Sequence, residues 1–282
     1  MLRGLYTGAS GMVVQMHKMD TIANNMANVD TTGYKRDTAI MKAFPQMLIR
    51  RLDDNGVYKF PFGSADTAPV VGQLGTGAEL NEVYTVFTEG PLKQTGNSFD
   101  LAIEGHGFFS VQTPEGVRYT RNGTFLINKD GMLVDSQGDA VLGDRGPIFL
   151  KKNNFIVDQN GKIYQNADFA GDPHRLVSPN ENTWKNTQLV DTLKIVDFND
   201  RRYLKKQGNS YWKETDFSGP PKGVGLGSTT KIEQGFLETS NVNPVTEMVQ
   251  MIQVNRAYEA NQKTIQEQDS LAGKLINDAV KV

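Results

Sequence analysis

The 282 residues carry 30 basic and 32 acidic side chains, a net charge of -2, with 38% hydrophobic content and a mean hydropathy of -0.45. A protein that binds nucleic acid by neutralising phosphates shows a basic excess or stripe; neither occurs, so nucleic acid is not expected as a partner. No run approaches the roughly 20 apolar residues needed to cross a bilayer, and Gly4, Thr7, Gly8, Ser10 and Gly11 interrupt any apolar leader, so neither membrane insertion nor a cleaved signal peptide is expected.

The first element is helical. Leu5, Ala9, Met12, Met16, Met19, Ala23 and Met26 follow one another in steps of four and three, the spacing of a heptad seam. Val29-Asp30-Thr31-Thr32-Gly33 should end this helix near Asn28. Gly4, Gly8 and Gly11 each cost a helix interior about 1 kcal/mol relative to Ala, so the helix needs a partner.

Residues 34–79 read as an extended connector or long hairpin rich in Gly, Pro and Thr, with a short amphipathic segment near Phe44–Leu52. The middle, residues 80–240, reads as antiparallel β. All 14 Phe lie between Phe44 and Phe236, as do both Trp and ten of the 11 Pro, whereas seven of the ten Met fall in the first 26 residues or at Met248 and Met251. Short runs (Tyr84–Phe87, Leu101–Ile103, Phe108–Val111, Thr124–Ile127, Met132–Val134, Ile163–Gln165) alternate with turn chemistry. Lys129-Asp130-Gly131 and Gln159-Asn160-Gly161 are hairpin signals, and Pro114-Glu115-Gly116 and Gln137-Gly138-Asp139 mark further turns.

The last element is a second helix. Asn243 suits the N-cap, Pro244 the first helical position, and Glu247 puts negative charge in the first turn. The helix should run to about Ala279. Met251, Tyr258, Ile265, Ala272 and Ala279 recur every seventh residue, with Met248, Asn255, Gln262, Asp269 and Ile276 as the companion row. The fold class is therefore α+β. Residues 1–33 and 241–282 pair in a coiled-coil-like layer, and an antiparallel β-rich domain lies between them in the chain.

Catalytic signals are poor. His17, His106 and His174 lack ligand spacing, and Gly223-Val224-Gly225-Leu226-Gly227-Ser228 lacks the Lys of a phosphate-binding loop. Glu82, Glu89, Asp100 and Glu104 read as charged strand faces. Arg201, Arg202, Lys205 and Lys206, beside Tyr203 and Tyr211, read as a solvated turn rather than a site for an anionic polymer or acidic neighbour. No enzyme, cofactor or metal is expected.

Three strings carry a family resemblance. Leu5-Tyr6-Thr7-Gly8-Ala9-Ser10-Gly11-Met12 with the run from Met19 through Thr31-Thr32-Gly33-Tyr34-Lys35-Arg36 resembles the N-terminal signature of bacterial flagellar axial proteins. Leu237-Glu238-Thr239-Ser240-Asn241-Val242-Asn243-Pro244 with Asn255-Arg256-Ala257-Tyr258-Glu259-Ala260-Asn261 resembles their C-terminal signature. Gln94 through Ile103, Gly107-Phe108-Phe109 and Tyr119-Thr120-Arg121-Asn122-Gly123 resemble the β domain of rod and hook proteins.

The resemblance implies a subunit of the flagellar basal-body rod, a hollow periplasmic tube. Such subunits are exported unprocessed through the type III apparatus, in keeping with the absent signal peptide and absent cysteine. Partners would be other copies, other rod proteins and the export apparatus, with L/P-ring or peptidoglycan surroundings. Val117 through Gly123 and Gly146-Pro147-Ile148 look more like proximal than distal rod subunits, spirochaete versions above all. The expected assembly interface is Leu5, Met12, Met16, Met19, Ala23, Met26, Met248, Met251, Ile252, Asn255, Tyr258, Gln262, Ile265, Ala272 and Ile276, with frayed ends before assembly and the second helix nearer the channel. The rivals from other classes are a peptidoglycan-acting enzyme and a trimeric secreted adhesin.

Overall fold

The computed structural model describes residues 2–50, 57–61, 63–66, 70–169, 177–178, 182, 184–208, 210–225, 227 and 230–280. The chain divides into two compact units. One holds residues 1–26, 37–84 and 244–282; the other holds 27–36 and 85–243. Residues 34–79, expected as a connector or extended hairpin, are thus shared out: all but the first three belong with the helices.

The helical unit contains α1 (Leu2–Ala27) and α2 (Pro244–Val280), 26 and 37 residues long. They run antiparallel, with Gly4 against Gln268, Gly8 against Ile265 and Gly11 against Asn261. At the far end, Asn25 Nδ2 lies 3.4 Å from Glu247 Oε2, and both residues are about 1% exposed.

This contact corrects the expected register. The α1 row facing α2 is Gly4, Gly8, Gly11, Gln15, Lys18, Ile22 and Asn25, every member of which is buried or half-buried. The Met row lies one residue further round the helix. On α2 the facing row is Glu247, Met251, Val254, Tyr258, Asn261, Ile265, Gln268 and Ala272. It includes the expected Met251, Tyr258, Ile265 and Ala272, but Met248, Asn255, Gln262, Asp269 and Ile276 are exposed. Close approach decides the choice. A Cβ on Gly8 would sit 2.9 Å from Ile265 Cγ1, and one on Gly11 2.8 Å from Asn261 Nδ2. The glycines that weaken α1 in isolation let α2 pack against its backbone, and the two helices pair within a single chain.

The rest of this unit is one long hairpin. Asp37–Ala43 pairs with Ala78–Thr85, Met47–Arg50 with Val70–Leu74, and Val57–Phe60 with Gly63–Asp66. The segment expected to be amphipathic near Phe44–Leu52 contains the strand Met47–Arg50, exposed throughout; Leu52 lies outside the described residues. The hairpin root is fixed by Asn25. Its Nδ2 donates to the Asp37 carbonyl at 2.8 Å and its Oδ1 accepts from the Asp37 N–H at 2.9 Å.

The β unit is built on an antiparallel sheet of ten strands. Its main path runs Phe125–Ile127, Leu133–Asp135, Ala140–Gly143, Phe108–Thr113, Gly116–Thr120, Tyr211–Lys213 and Lys205–Gln207. The central strand Phe108–Thr113 is buried on both faces. By strand alternation, Phe109 joins a core with Phe125, Ile163, Leu193 and Ile232, while Phe108 joins Tyr119, Phe198 and Trp212. The expected turns at 114–116, 129–131, 137–139 and 159–161 all connect sequential antiparallel strands.

Replacing Gly8 by Leu sets two effects against each other. Helix propensity alone favours the variant by about 1 kcal/mol, whereas overpacking a filled seam costs about 1–3 kcal/mol or more. The close contact with Ile265 makes packing dominant. Gly8→Leu is therefore expected to lower the melting temperature of the purified chain, followed by helical circular dichroism; a rise would show that the helices are not in contact there.

Candidate functional site

Within the helical unit the candidate site is an exposed edge of the helix pair. In an antiparallel pair, positions one residue past the seam on both helices border the same edge. Leu5, Met12, Met19 and Met26 therefore share an edge with Met248, Asn255, Gln262 and Asp269, while Ile276 lies on the part of α2 that runs past the start of α1. Ala9, Met16, Ala23 and Ile252 lie one step further out on that side. Met16 is 50% exposed, Met248 52%, Ile252 53% and Ile276 64%. Exposed apolar side chains also stand on other faces of the two helices, among them Tyr6, Val13, Val249 and Leu271; this edge is the one that gathers the methionines.

Of the fifteen residues expected at the interface, the structure divides two groups. Met251, Tyr258, Ile265 and Ala272 are used within the chain, on the α1–α2 seam. Ten of the remaining eleven lie on or beside the edge, and Ile276 lies on the stretch of α2 past the start of α1.

The β unit contains a polar clamp centred on Glu238, which is 2% exposed as a residue. Lys35 Nζ donates to Glu238 Oε1 at 2.5 Å and to the Thr88 carbonyl at 2.8 Å. The Gly90 N–H donates to the same Oε1 at 2.9 Å, and Arg121 Nη1 donates to Oε2 at 3.3 Å. Arg121 also donates to the carbonyls of Ile103 and Gly105, and its guanidinium lies 5.6 Å from the Phe108 ring centre.

Backbone contacts extend the clamp. The Gly33 N–H donates to the Glu238 carbonyl at 2.8 Å, the Arg36 N–H to Asn241 Oδ1 at 2.8 Å, and Thr32 Oγ1 to Asn122 Oδ1 at 2.7 Å. Gly33 has φ +68, and a Cβ there would meet the backbone of Arg121 and Asn122 at 2.5 Å. No other residue meets both demands. The sequence displayed these groups only as parts of signature strings; that they are buried together appears only once three distant segments meet.

Several of the other candidate residues have structural partners. Asp100 accepts from Thr95 Oγ1 at 2.6 Å and Asn97 Nδ2 at 3.2 Å. Arg201 forms a two-bond pair with Asp197 and approaches His106 Nδ1 at 3.2 Å. Lys206 Nζ stands 4.0 Å over the Tyr34 ring, and Tyr211 is buried with its hydroxyl on Asp135 and Asp139. His17 is exposed, while His174, Leu226 and Ser228 lie outside the described residues. Among the described residues no three His, Cys, Asp or Glu side chains converge as a metal site, and no helix is long and apolar enough to cross a membrane.

Burial holds the Lys35 ammonium below its ordinary value of 10.5, opposed by Glu238, which favours the charged form. Between the lowered folded value and 10.5 the unfolded chain binds the extra proton, so this group adds stability as pH rises through that window. Glu238→Gln leaves two buried cations facing a neutral amide, a loss of about 3–5 kcal/mol. Without its counter-charge Lys35 should lose its proton more easily, so the deficit is expected to shrink from about pH 7 to about pH 10. Urea unfolding at both pH values checks this; an unchanged deficit would contradict the clamp's electrostatic role.

The three charged members of the clamp fall in three segments that each match a known family. Residues 5–35 match the family described as flagella basal body rod protein, residues 102–165 the flagellar hook protein FlgE/F/G D1 domain, and residues 233–278 the flagellar basal body rod FlgEFG protein C-terminal. Lys35, Arg121 and Glu238 come one from each. Over its whole length the chain is similar to the flagellar basal-body rod protein FlgG of Buchnera aphidicola, at 34% identity across 98% of this chain and 99% of the relative. It is 33% identical to FlgG of Borreliella burgdorferi over 97% of each chain, and 30% identical to the rod protein FlgF of Caulobacter vibrioides over 99% of this chain and 98% of the relative. The clamp thus joins the three segments by which these structural, non-enzymatic proteins are defined, and the chain belongs to the flagellar basal-body rod protein family.

Proposed function

We propose that this rod subunit polymerises by docking the apolar edge of its helix pair onto neighbouring copies and other rod proteins. The product is a hollow tube that transmits torque and passes exported subunits. One observation carries the reading: Met16, Met248 and Ile252 are half exposed or more on one edge of a pair whose seam is already filled within the chain. An edge that meets a different surface of the next copy gives an open helical polymer rather than a closed ring. Methionine suits such contacts because its flexible thioether adapts to slightly different neighbours.

In this reading the subunit reaches the periplasm through the flagellar type III apparatus. The tube stands within the L/P rings and peptidoglycan, and α2, the more polar helix, lies towards the channel. Relatives named FlgG and FlgF match over the same span at 34% and 30% identity. The proximal level in the rod therefore rests on residues 117–123 and 146–148 alone. Labelled subunits in isolated basal bodies test it: signal at the base supports the proximal level, and signal at the far end contradicts it.

The double variant Met16→Asp, Ile252→Asp tests the edge itself. Exposed substitutions of this kind change stability by about 0.5 kcal/mol or less, so the purified variant should melt like the parent. In cells lacking the parental chain it should fail to complete rods and should abolish motility. Normal rods would show that the edge is not buried on assembly.

A further inference from the structure

All sulfur in this chain is thioether: there are ten methionines and no cysteine. Five of the ten (Met12, Met16, Met19, Met26 and Met248) line the docking edge, and Met16 and Met248 are 50% and 52% exposed. We propose that Met16 and Met248 are peroxide-oxidation sites that stop the unassembled subunit from entering the rod. The proposal rests on the docking reading above.

The chemistry requires only an alkyl hydroperoxide or hydrogen peroxide. A sulfur lone pair attacks one peroxide oxygen, the O–O bond breaks, and the sulfoxide S–O bond forms. The proton carried by the attacked oxygen passes to the second oxygen, which leaves as water or alcohol. Sulfur is oxidised by two electrons and the peroxide is reduced by two. The product is a polar, chiral group where docking requires an apolar, adaptable one, and burying it without a hydrogen-bond donor is unfavourable.

Accessibility gives the device a direction. The same thioethers would be covered in a finished rod, so oxidation acts on growth and spares completed structure. With no thiol in the chain there is no cysteine to scavenge the peroxide first. Reversal therefore depends on a methionine sulfoxide reductase.

The test compares three full-length versions expressed in place of the parental gene: the parent, Met16→Leu with Met248→Leu, and Met16→Gln with Met248→Gln. Leucine keeps the edge apolar and cannot be oxidised; glutamine imitates the polarity of the sulfoxide. After a hydrogen peroxide pulse the parent should form roughly tenfold fewer new rods, while the leucine pair is nearly unaffected. Without peroxide the glutamine pair should already form few. Equal loss in the parent and the leucine pair would overturn the oxidation proposal even where the glutamine pair is blocked. Normal rods from the glutamine pair would instead overturn the docking reading beneath it. Peptide mapping gives an independent result: added oxygen at Met16 and Met248 in the unassembled subunit but not in rods supports the proposal, and unmodified methionines in the treated unassembled subunit overturn it.

Discussion

The structure depends on one buried carboxylate. Glu238 accepts from an ammonium, a guanidinium and a backbone N–H, which reach it from residues 35, 121 and 90. Assembling such a cluster yields little net stability, because desolvating three charges offsets much of their attraction. Its value is conditional. Once buried, each member is strongly unfavourable without the others, so the segment leaving α1, the middle of the β unit and the strand preceding α2 are held in a single register. A hydrophobic cluster of equal volume would tolerate slippage that this clamp does not.

In the helical unit two rows of α1 have separate tasks. The glycine row lets α2 approach the backbone and closes the pair within one chain. The Met row, one residue away, is left on an edge with Met248 and Ile252. Had the Met row formed the seam, α1 would have spent its apolar surface inside the monomer. The glycines thus lower intrinsic helix stability while freeing the larger side chains for other contacts. Asn25 and Glu247, nearly inaccessible to solvent, fix the end of this pair and the root of the hairpin.

Much of this was legible in the sequence. The ends of α1 and the start of α2 follow from Val29–Gly33 and from Asn243-Pro244, and the Asp-Gly and Asn-Gly turns lie where their backbone preferences place them. The seam register was not legible. Rows 4-8-11 and 5-9-12 have identical spacing, and side-chain size alone favours methionine; only the close approach of α2 selects glycine. The clamp was hidden for a different reason. Lys35, Arg121 and Glu238 are 86 and 117 residues apart along the chain, and a lone charge reads as a surface charge until its partners are in place. Residues 34–79 read as either a connector or a long hairpin, because a fully exposed strand such as Met47–Arg50 lacks the alternation that a half-buried sheet imprints.

The central claim is that α1 and α2 pair through glycine within the chain and dock through methionine between chains. The absence of native cysteine makes it directly measurable with single thiols at Met16→Cys and Met248→Cys, labelled with a maleimide in the free subunit and in isolated basal bodies. The account predicts rapid labelling of both positions in the free subunit and protection of both in the assembled rod. Equal reactivity in the two states would show that this edge stays open to solvent, and would contradict it.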